Sequence, residues 1–181
     1  MKITGFSGSP RKDGSTNTLV KRILKNAEEN DYETAFFSLN NLDINPCQAC
    51  SYCAEENGCD LDDDMNDILN EIKSSEYVVI GSPVYFGQSS AQTRLFTDRF
   101  YSIYNNKSEN FKGKKAILVY TQGDSNPELY EQYFNHEKEH FYEFVGFDVV
   151  NTLIAPGVHS KEELLKNEEL LNEADNILME I

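Results

Sequence analysis

The chain has no apolar run long enough to cross a bilayer, and its first residues, Met1-Lys2-Ile3-Thr4-Gly5-Phe6, lack the charged, apolar, small-residue layout of a secretion signal. Positive charge is scarce: 16 Lys and Arg stand against 31 Asp and Glu, a formal net charge of −15. Such a surface repels phosphate backbones and anionic lipid heads, which argues against nucleic acid and membranes as partners. Internal repeats, low-complexity tracts and a dividing linker are missing too. The 181 residues are therefore expected to form one domain over positions 1–181. A composition of 39% hydrophobic and 12% aromatic residues excludes disorder. The expected location is cytoplasmic, where structural disulfides are disfavoured and clustered thiols point to metal or redox work.

Cysteine is missing from most of the chain as well. All four fall in Cys47-Gln-Ala-Cys50-Ser-Tyr-Cys53-Ala-Glu-Glu-Asn-Gly-Cys59, a C-x2-C-x2-C-x5-C run. Two-residue gaps let neighbouring thiolates converge without a long closing loop, and iron–sulfur clusters are held by compact runs of this kind. The common bacterial run differs, with a three-residue last gap and a following proline where this chain has Asp60. Structural zinc sites use separated pairs of ligands more often. Cluster, zinc and unligated thiols all remain open from spacing alone.

Apolar periodicity orders the rest of the chain. Ile3–Ser7, Tyr32–Leu39, Tyr77–Ile80, Ala116–Tyr120 and Asp148–Ile154 read as strands, the third and fourth as near-continuous buried runs. Helical spacing recurs at Leu19, Val20, Ile23, Leu24 and Ala27, and at Met65, Ile68, Leu69 and Ile72. It recurs again over Ser89–Tyr104, Pro127–Val145 and Leu164–Leu178. Strands alternating with helices predict a doubly wound α/β sheet of five parallel strands with helices on both faces. Ligands of such sheets bind at the carboxyl ends of the strands. Three loops are expected there, Ser7–Thr18, Ser82–Gln88 and Thr121–Asn126, with the cysteine loop on the same side.

The first loop, Ser7-Gly8-Ser9-Pro10-Arg11-Lys12-Asp13-Gly14-Ser15-Thr16-Asn17-Thr18, is rich in hydroxyls and runs into a helix N-terminus, where free N–H groups attract a phosphate. Arg11 can add a charge-assisted bond. The loop lacks the glycine spacing of a dinucleotide fingerprint and the Gly-Lys-Ser/Thr of a Walker loop. The second, Gly81-Ser82-Pro83-Val84-Tyr85-Phe86-Gly87-Gln88, offers a cis or rigid Pro83, aromatic walls and a close-approach glycine for a flat ring. Thr121-Gln122-Gly123-Asp124 can close the other side.

Gly8-Ser9-Pro10-Arg11 with Asn17-Thr18, then Ser82-Pro83-Val84-Tyr85-Phe86-Gly87, and Leu95-Phe96-Thr97-Asp98-Arg99 resemble the NADPH-dependent FMN reductase family of flavodoxin-like folds. The cysteine run followed by Asp62-Asp63-Asp64-Met65 is similar to its iron–sulfur flavoprotein branch. The resemblance implies strand order 2-1-3-4-5. It implies an FMN phosphate on Ser9, Arg11, Ser15, Asn17 and Thr18, and the ring against Pro83, Val84, Tyr85, Phe86, Gly87, Thr121 and Gly123. It further implies a 4Fe–4S cluster on Cys47, Cys50, Cys53 and Cys59. The implied activity is an FMN oxidoreductase fed by NAD(P)H or ferredoxin, delivering electrons to a redox partner protein or a small acceptor. The implied assembly is a homodimer or homotetramer, joined through apolar surface on Phe96–Tyr104. The alternatives are a flavodoxin-like carrier without activity of its own, a cluster-free NAD(P)H-dependent FMN or quinone reductase, and a zinc-stapled small-molecule binding module without redox activity.

Two other patterns are set aside. His136-Glu137-Lys138-Glu139-His140 matches the H-E-x-x-H zinc helix, but the sequence offers no third ligand and the segment is expected to be a solvated helix rim. Asp60, Asp62, Asp64 and Glu71 fit a calcium-loop spacing, yet Met65 stands where the turn needs glycine. His159 is expected at the surface.

Overall fold

The computed structural model describes residues 1–56, 58–106 and 110–179. Five parallel strands form the sheet: β1 (Lys2–Ser7), β2 (Glu33–Ser38), β3 (Tyr77–Tyr85), β5 (Lys115–Thr121) and β6 (Asp148–Ala155). A two-residue strand, β4 (Gln88–Ser89), folds back antiparallel on the end of β3. The order is β2-β1-β3-β5-β6. The five parallel strands thus follow the expected 2-1-3-4-5 path, with β4 as an unforeseen addition.

Strand alternation sorts the core into two layers. Phe6, Val78, Ile80, Leu118 and Tyr120 point to one face and pack with Met65, Ile68, Leu69, Ile72, Phe96, Phe100 and Phe134. Ile3, Val79, Ile117, Val119 and Leu153 point to the other and meet Leu19, Val20, Ile23, Leu24, Leu164 and Leu170. Helices α1 (Ser15–Glu29), α7 (Lys161–Leu164) and α8 (Glu168–Asn176) therefore cover one side. Helices α3 (Met65–Ser74), α4 (Ala91–Asp98), α5 (Tyr101–Asn105) and α6 (Glu131–Glu137) cover the other. Strands buried on both faces read as continuous apolar runs, which is why β3 and β5 stood out.

Several expected boundaries shift. The Ser89–Tyr104 stretch is two helices, α4 and α5, separated at Arg99 and Phe100, which turn inward and are buried. Ser90 caps α4, its Oγ accepting from Thr93 N. Phe96, Phe100 and Ile103 belong to the core, leaving Tyr101 and Tyr104 as the exposed aromatics of that stretch. Pro127–Val145 is not one regular helix: α6 ends at Glu137 and a π-helical turn covers Lys138–Tyr142. The last helix is broken before Asn167, whose side chain caps α8. Part of the cysteine loop forms a short helix, α2 (Tyr52–Glu55).

The second ligand loop is shorter than expected. β3 runs on through Pro83 to Tyr85, with Pro83 opposite Thr121 of β5, and the turn to β4 is only Phe86-Gly87. Both turn residues have positive φ, 52° and 76°, the pattern of the type I′ hairpin turn. Among the described residues no peptide bond is cis, so Pro83 is the rigid rather than the cis version of the expectation.

Candidate functional site

Registers place the strand ends side by side. Ser7 pairs with Gly81, Pro83 with Thr121, and Thr121 with Ala155, so the loops that follow leave from one edge of the sheet. A cavity of about 270 Å³ opens there, lined by Ser9, Arg11, Gly14, Ser15, Thr16, Pro83, Val84, Tyr85, Thr121, Gly123, Val158 and His159.

At one end of this cavity stands the N-terminus of α1. Gly14 is its N-cap and supplies no side-chain bond, so the first-turn N–H groups depend on water or a ligand. A Cβ on Gly14 would come within 2.8 Å of Ser9 Oγ and 3.2 Å of the Arg11 carbonyl oxygen, so a side chain there would have to displace the Ser9 hydroxyl. Ser9 Oγ accepts from Arg11 N at 3.3 Å, and Arg11 Nη1 donates to the His159 carbonyl at 3.0 Å. The Thr16 and Thr121 hydroxyls bond at 2.7 Å and tie the first loop to the third. Uncapped first-turn N–H groups and a nearby cation are features that suit an anion.

The remaining expected residues divide. Ser9, Arg11, Ser15, Pro83, Val84, Tyr85, Thr121 and Gly123 line the cavity, whereas Asn17, Thr18, Phe86 and Gly87 do not. Asn17 Nδ2 instead donates to the carbonyls of Arg11 and Lys12, both at 3.0 Å, and so shapes the turn from behind. The Thr18 hydroxyl donates to the Gly14 carbonyl, one helical turn back. Phe86 stands fully exposed at the hairpin tip, while Tyr130 packs near Gly87. Thr16, Val158 and His159 line the cavity without having been anticipated. Thr16 lay in the expected loop, where alternation of hydroxyl residues hid which faced inward. His159 carried no signal as a lone histidine; it packs on Gly123, where a Cβ would meet its ring at 2.8 Å.

The cysteine loop forms a second site. Cys47, Cys50, Cys53 and Cys59 line one hollow of about 20 Å³, together with Arg99, Tyr101 and Ser102. Cys53 is buried and accepts from Asn105 Nδ2 at 3.6 Å; Cys50 is exposed. Ala49 and Ser51, on either side of Cys50, have left-handed φ of 51° and 64°. Alternating backbone hands turn successive N–H groups inward and favour anions and iron–sulfur groups. Among the described residues no three metal-ligating side chains converge on one point. In donor type and backbone hand the loop suits thiolate ligation, but the sulfurs do not converge and the hollow as it stands is too small for a cluster.

Arg99 sits behind this hollow with its side chain shielded from solvent. It pairs with Asp63 and donates to the Asn45 carbonyl at 2.9 Å. Burial works against the Arg99 charge but is outweighed by Asp63 and by nearby Cys59, which hold its pKa above the usual guanidinium value. Burial also opposes the Asp63 charge. Bonds from Arg99, Asn45 N and Met65 N outweigh it and keep the carboxyl below the usual range.

The H-E-x-x-H segment departs from expectation at its centre. His136 and His140 are exposed, but Glu137 is only 3% exposed. It accepts from Tyr120 Oη at 2.6 Å, Tyr133 Oη at 2.7 Å and Ser89 Oγ at 3.0 Å. The glutamate is a buried structural acceptor between α6, β5 and β4.

The profile of the NADPH-dependent FMN reductase family matches residues 1–159. The chain is 44% identical over 99 residues to an iron–sulfur flavoprotein of Methanocaldococcus jannaschii, covering 55% of this chain and 51% of that protein. It is 35% identical over 122 residues to an iron–sulfur flavoprotein of Archaeoglobus fulgidus, covering 67% and 62%. The chain thus spans between half and two thirds of these relatives. Among solved structures, the NAD(P)H:quinone oxidoreductase of Methanothermobacter marburgensis superimposes with a TM-score of 0.74 at 14% identity, covering 98% of this chain and 97% of that one. An FMN-dependent NADH-azoreductase of Bacillus anthracis, solved with FMN, gives 0.68 at 18% identity, covering 98% and 99%. At such identities the structures attest the shared flavodoxin-like fold alone.

Proposed function

Since the chain belongs to the NADPH-dependent FMN reductase family, we propose that it is an FMN oxidoreductase taking electrons from NAD(P)H or ferredoxin. The reading gives Cys47, Cys50, Cys53 and Cys59 a 4Fe–4S cluster that relays single electrons. The observation that carries it is the one cavity running from the N-terminus of α1 to the end of β3, with an anion-binding turn at one end and a proline–aromatic wall at the other.

In this reading Ser9, Arg11, Ser15 and the first-turn N–H groups of α1 bind the phosphate. Pro83, Val84 and Tyr85 give the ring an apolar wall, and Thr121 and Gly123 close the opposite side. Bound FMN supplies the redox chemistry by accepting two electrons and passing them on singly or in pairs. The protein orients the ring and restricts water; no side chain need act as nucleophile. Cys47, Cys50, Cys53 and Cys59 would hold the cluster, which would supply single-electron transfer. Metal then orders a polar loop that has little apolar content of its own.

The reading also takes residues 1–181 as one cytoplasmic flavin domain that works as a homodimer or homotetramer. A redox protein or a small molecule accepts its electrons. A second reading, a carrier that depends on a separate reductase, draws on the net charge of −15, which suits docking to a basic partner.

Anaerobically purified protein mixed with NAD(P)H and an artificial acceptor separates the two. Oxidation of the nicotinamide by the protein alone supports the oxidoreductase. Flavin reduction only after addition of a reductase supports the carrier.

A further inference from the structure

Among the described residues that line the cavity beside α1, Arg11 and His159 are the only basic side chains, and none is acidic. On a chain of net charge −15 this is a local reversal of sign, the setting an anionic ligand requires. Arg11 has its place in the flavin reading above. His159 has none.

The backbone holds His159 at that wall. Its N–H donates to Glu163 Oε2 at 2.8 Å, and its carbonyl accepts from Arg11 Nη1 at 3.0 Å. The two residues before it are zipped to the third loop. Gly157 N donates to the Asp124 carbonyl at 2.7 Å, and Val158 N to the Gln122 carbonyl at 2.9 Å. The ring packs on Gly123, where a Cβ would stand 2.8 Å from Cε1 and 3.0 Å from Nδ1. Every hydrogen bond between His159 and another described residue is made by its backbone, so the imidazole keeps its donor for a ligand.

We propose that His159 is a specificity-determining residue of this cavity, its imidazole acting beside Arg11 to favour a phosphorylated flavin over the same flavin without phosphate. This rests on the FMN reading above. An imidazole carries at least one N–H donor whether neutral or charged, so the role needs no change of protonation. The bland alternative is a ring that only fills the space over Gly123. Packing of that kind serves FMN and riboflavin alike, because the two differ only in the phosphate.

The test titrates the flavin-free full chain with FMN and, separately, with riboflavin, and reads quenching of flavin fluorescence. It is run on the wild type, His159→Leu and His159→Gln. His159 is exposed, and its bond to Arg11 is made by the main chain, so neither variant removes core packing or that contact. The wild type should prefer FMN. His159→Leu should cut that preference about fivefold and leave riboflavin affinity within about twofold, while His159→Gln, which retains an N–H donor, should keep most of it. A second measurement reads the phosphate directly: the 31P resonance of bound FMN should move in His159→Leu and stay close to wild type in His159→Gln.

An unchanged preference in His159→Leu, an equal loss of both flavins, or an equal loss of preference in the Leu and Gln variants overturns the role of His159 and leaves the FMN reading intact. A wild type that binds FMN no better than riboflavin removes the phosphate site of the first loop, and the proposal with it.

Discussion

Tyr120 on β5 donates its hydroxyl to Glu137 at the end of α6 across 2.6 Å, and both side chains are buried. The pair joins the middle of the sheet to an irregular helix. Tyr133 and Ser89 complete the ring of donors, so one carboxylate secures β4 and the hairpin that carries Tyr85 and Phe86. Replacing Glu137 by Ala leaves these donors without their acceptor. The expected loss is about 3 kcal/mol, read by chemical denaturation.

The same region predicts alkaline weakness. Burial, with the Glu137 charge adding to it, raises the pKa values of Tyr120 and Tyr142 well above 10.0. Folded tyrosines keep their protons where unfolded ones lose them. Stability is then full below pH ~10 and falls by about 1.4 kcal/mol per pH unit for each such tyrosine above it. Thermal melts between pH 8 and 11.5 should show this slope, and Tyr142→Phe should flatten it. An unchanged slope in the variant would assign the decline to other groups.

For the flavin pocket, Arg11→Gln removes a charge-assisted donor from an exposed position. FMN binding followed by fluorescence quenching should weaken about tenfold. Thr18→Val is the contrasting variant, because its hydroxyl is engaged with the Gly14 carbonyl inside α1. Its affinity should stay within about twofold, on the same reasoning that a hydroxyl turned away contributes little. Equal losses in both would place the phosphate elsewhere.

Cys50→Ser separates the two sites. Cys50 lines the cysteine hollow and not the flavin cavity. The expected outcome is loss of iron absorbance from a wild-type content of about four irons per chain, with flavin retained. Iron content equal to wild type would remove Cys50 from the ligand set.

For assembly, Tyr101, Tyr104 and Phe144 form an exposed aromatic surface, with Tyr104 and Phe144 ring centroids 5.0 Å apart. Sedimentation at micromolar concentration should give a dimer or tetramer. Tyr104→Asp combined with Phe144→Asp should shift it toward monomer. A monomeric wild type with flavin bound would end the argument.

Much of this was legible in the chain. The runs Tyr77–Ile80 and Ala116–Tyr120 announce a doubly covered parallel sheet because burial on both faces suppresses alternation. The Ser9–Ser15 turn was visible because small polar residues before a helical stripe have few other uses. That the Asn17 and Thr18 side chains turn to backbone carbonyls rather than the cavity was not legible, because chemistry shows in sequence but direction does not. Phe86 gave no warning of a positive φ, since a bulky aromatic is a poor choice there and the hairpin imposes it. Arg99 ended the Leu95–Arg99 stretch that carries the family resemblance, with no role of its own read there. Its meaning depends on Asp63, 36 positions away, and no local pattern carries that pairing. Glu137 was hidden likewise, inside a motif whose histidines do face outward.

The mouth of the cysteine loop is stapled by backbone as well as by charge. Asp43 N donates to Asp64 Oδ2 at 2.7 Å, Asp64 N to the Asp43 carbonyl at 3.0 Å, and Asn45 N to Asp63 Oδ2 at 3.0 Å. A loop closed in this way need not be covalently continuous to hold its shape. A glutamate-specific protease cutting after the exposed Glu55 or Glu56 should leave both halves in one native particle that separates only in detergent. The excursion that bears the thiols behaves as a tethered appendix, which can be severed at its tip while the sheet beneath stays whole.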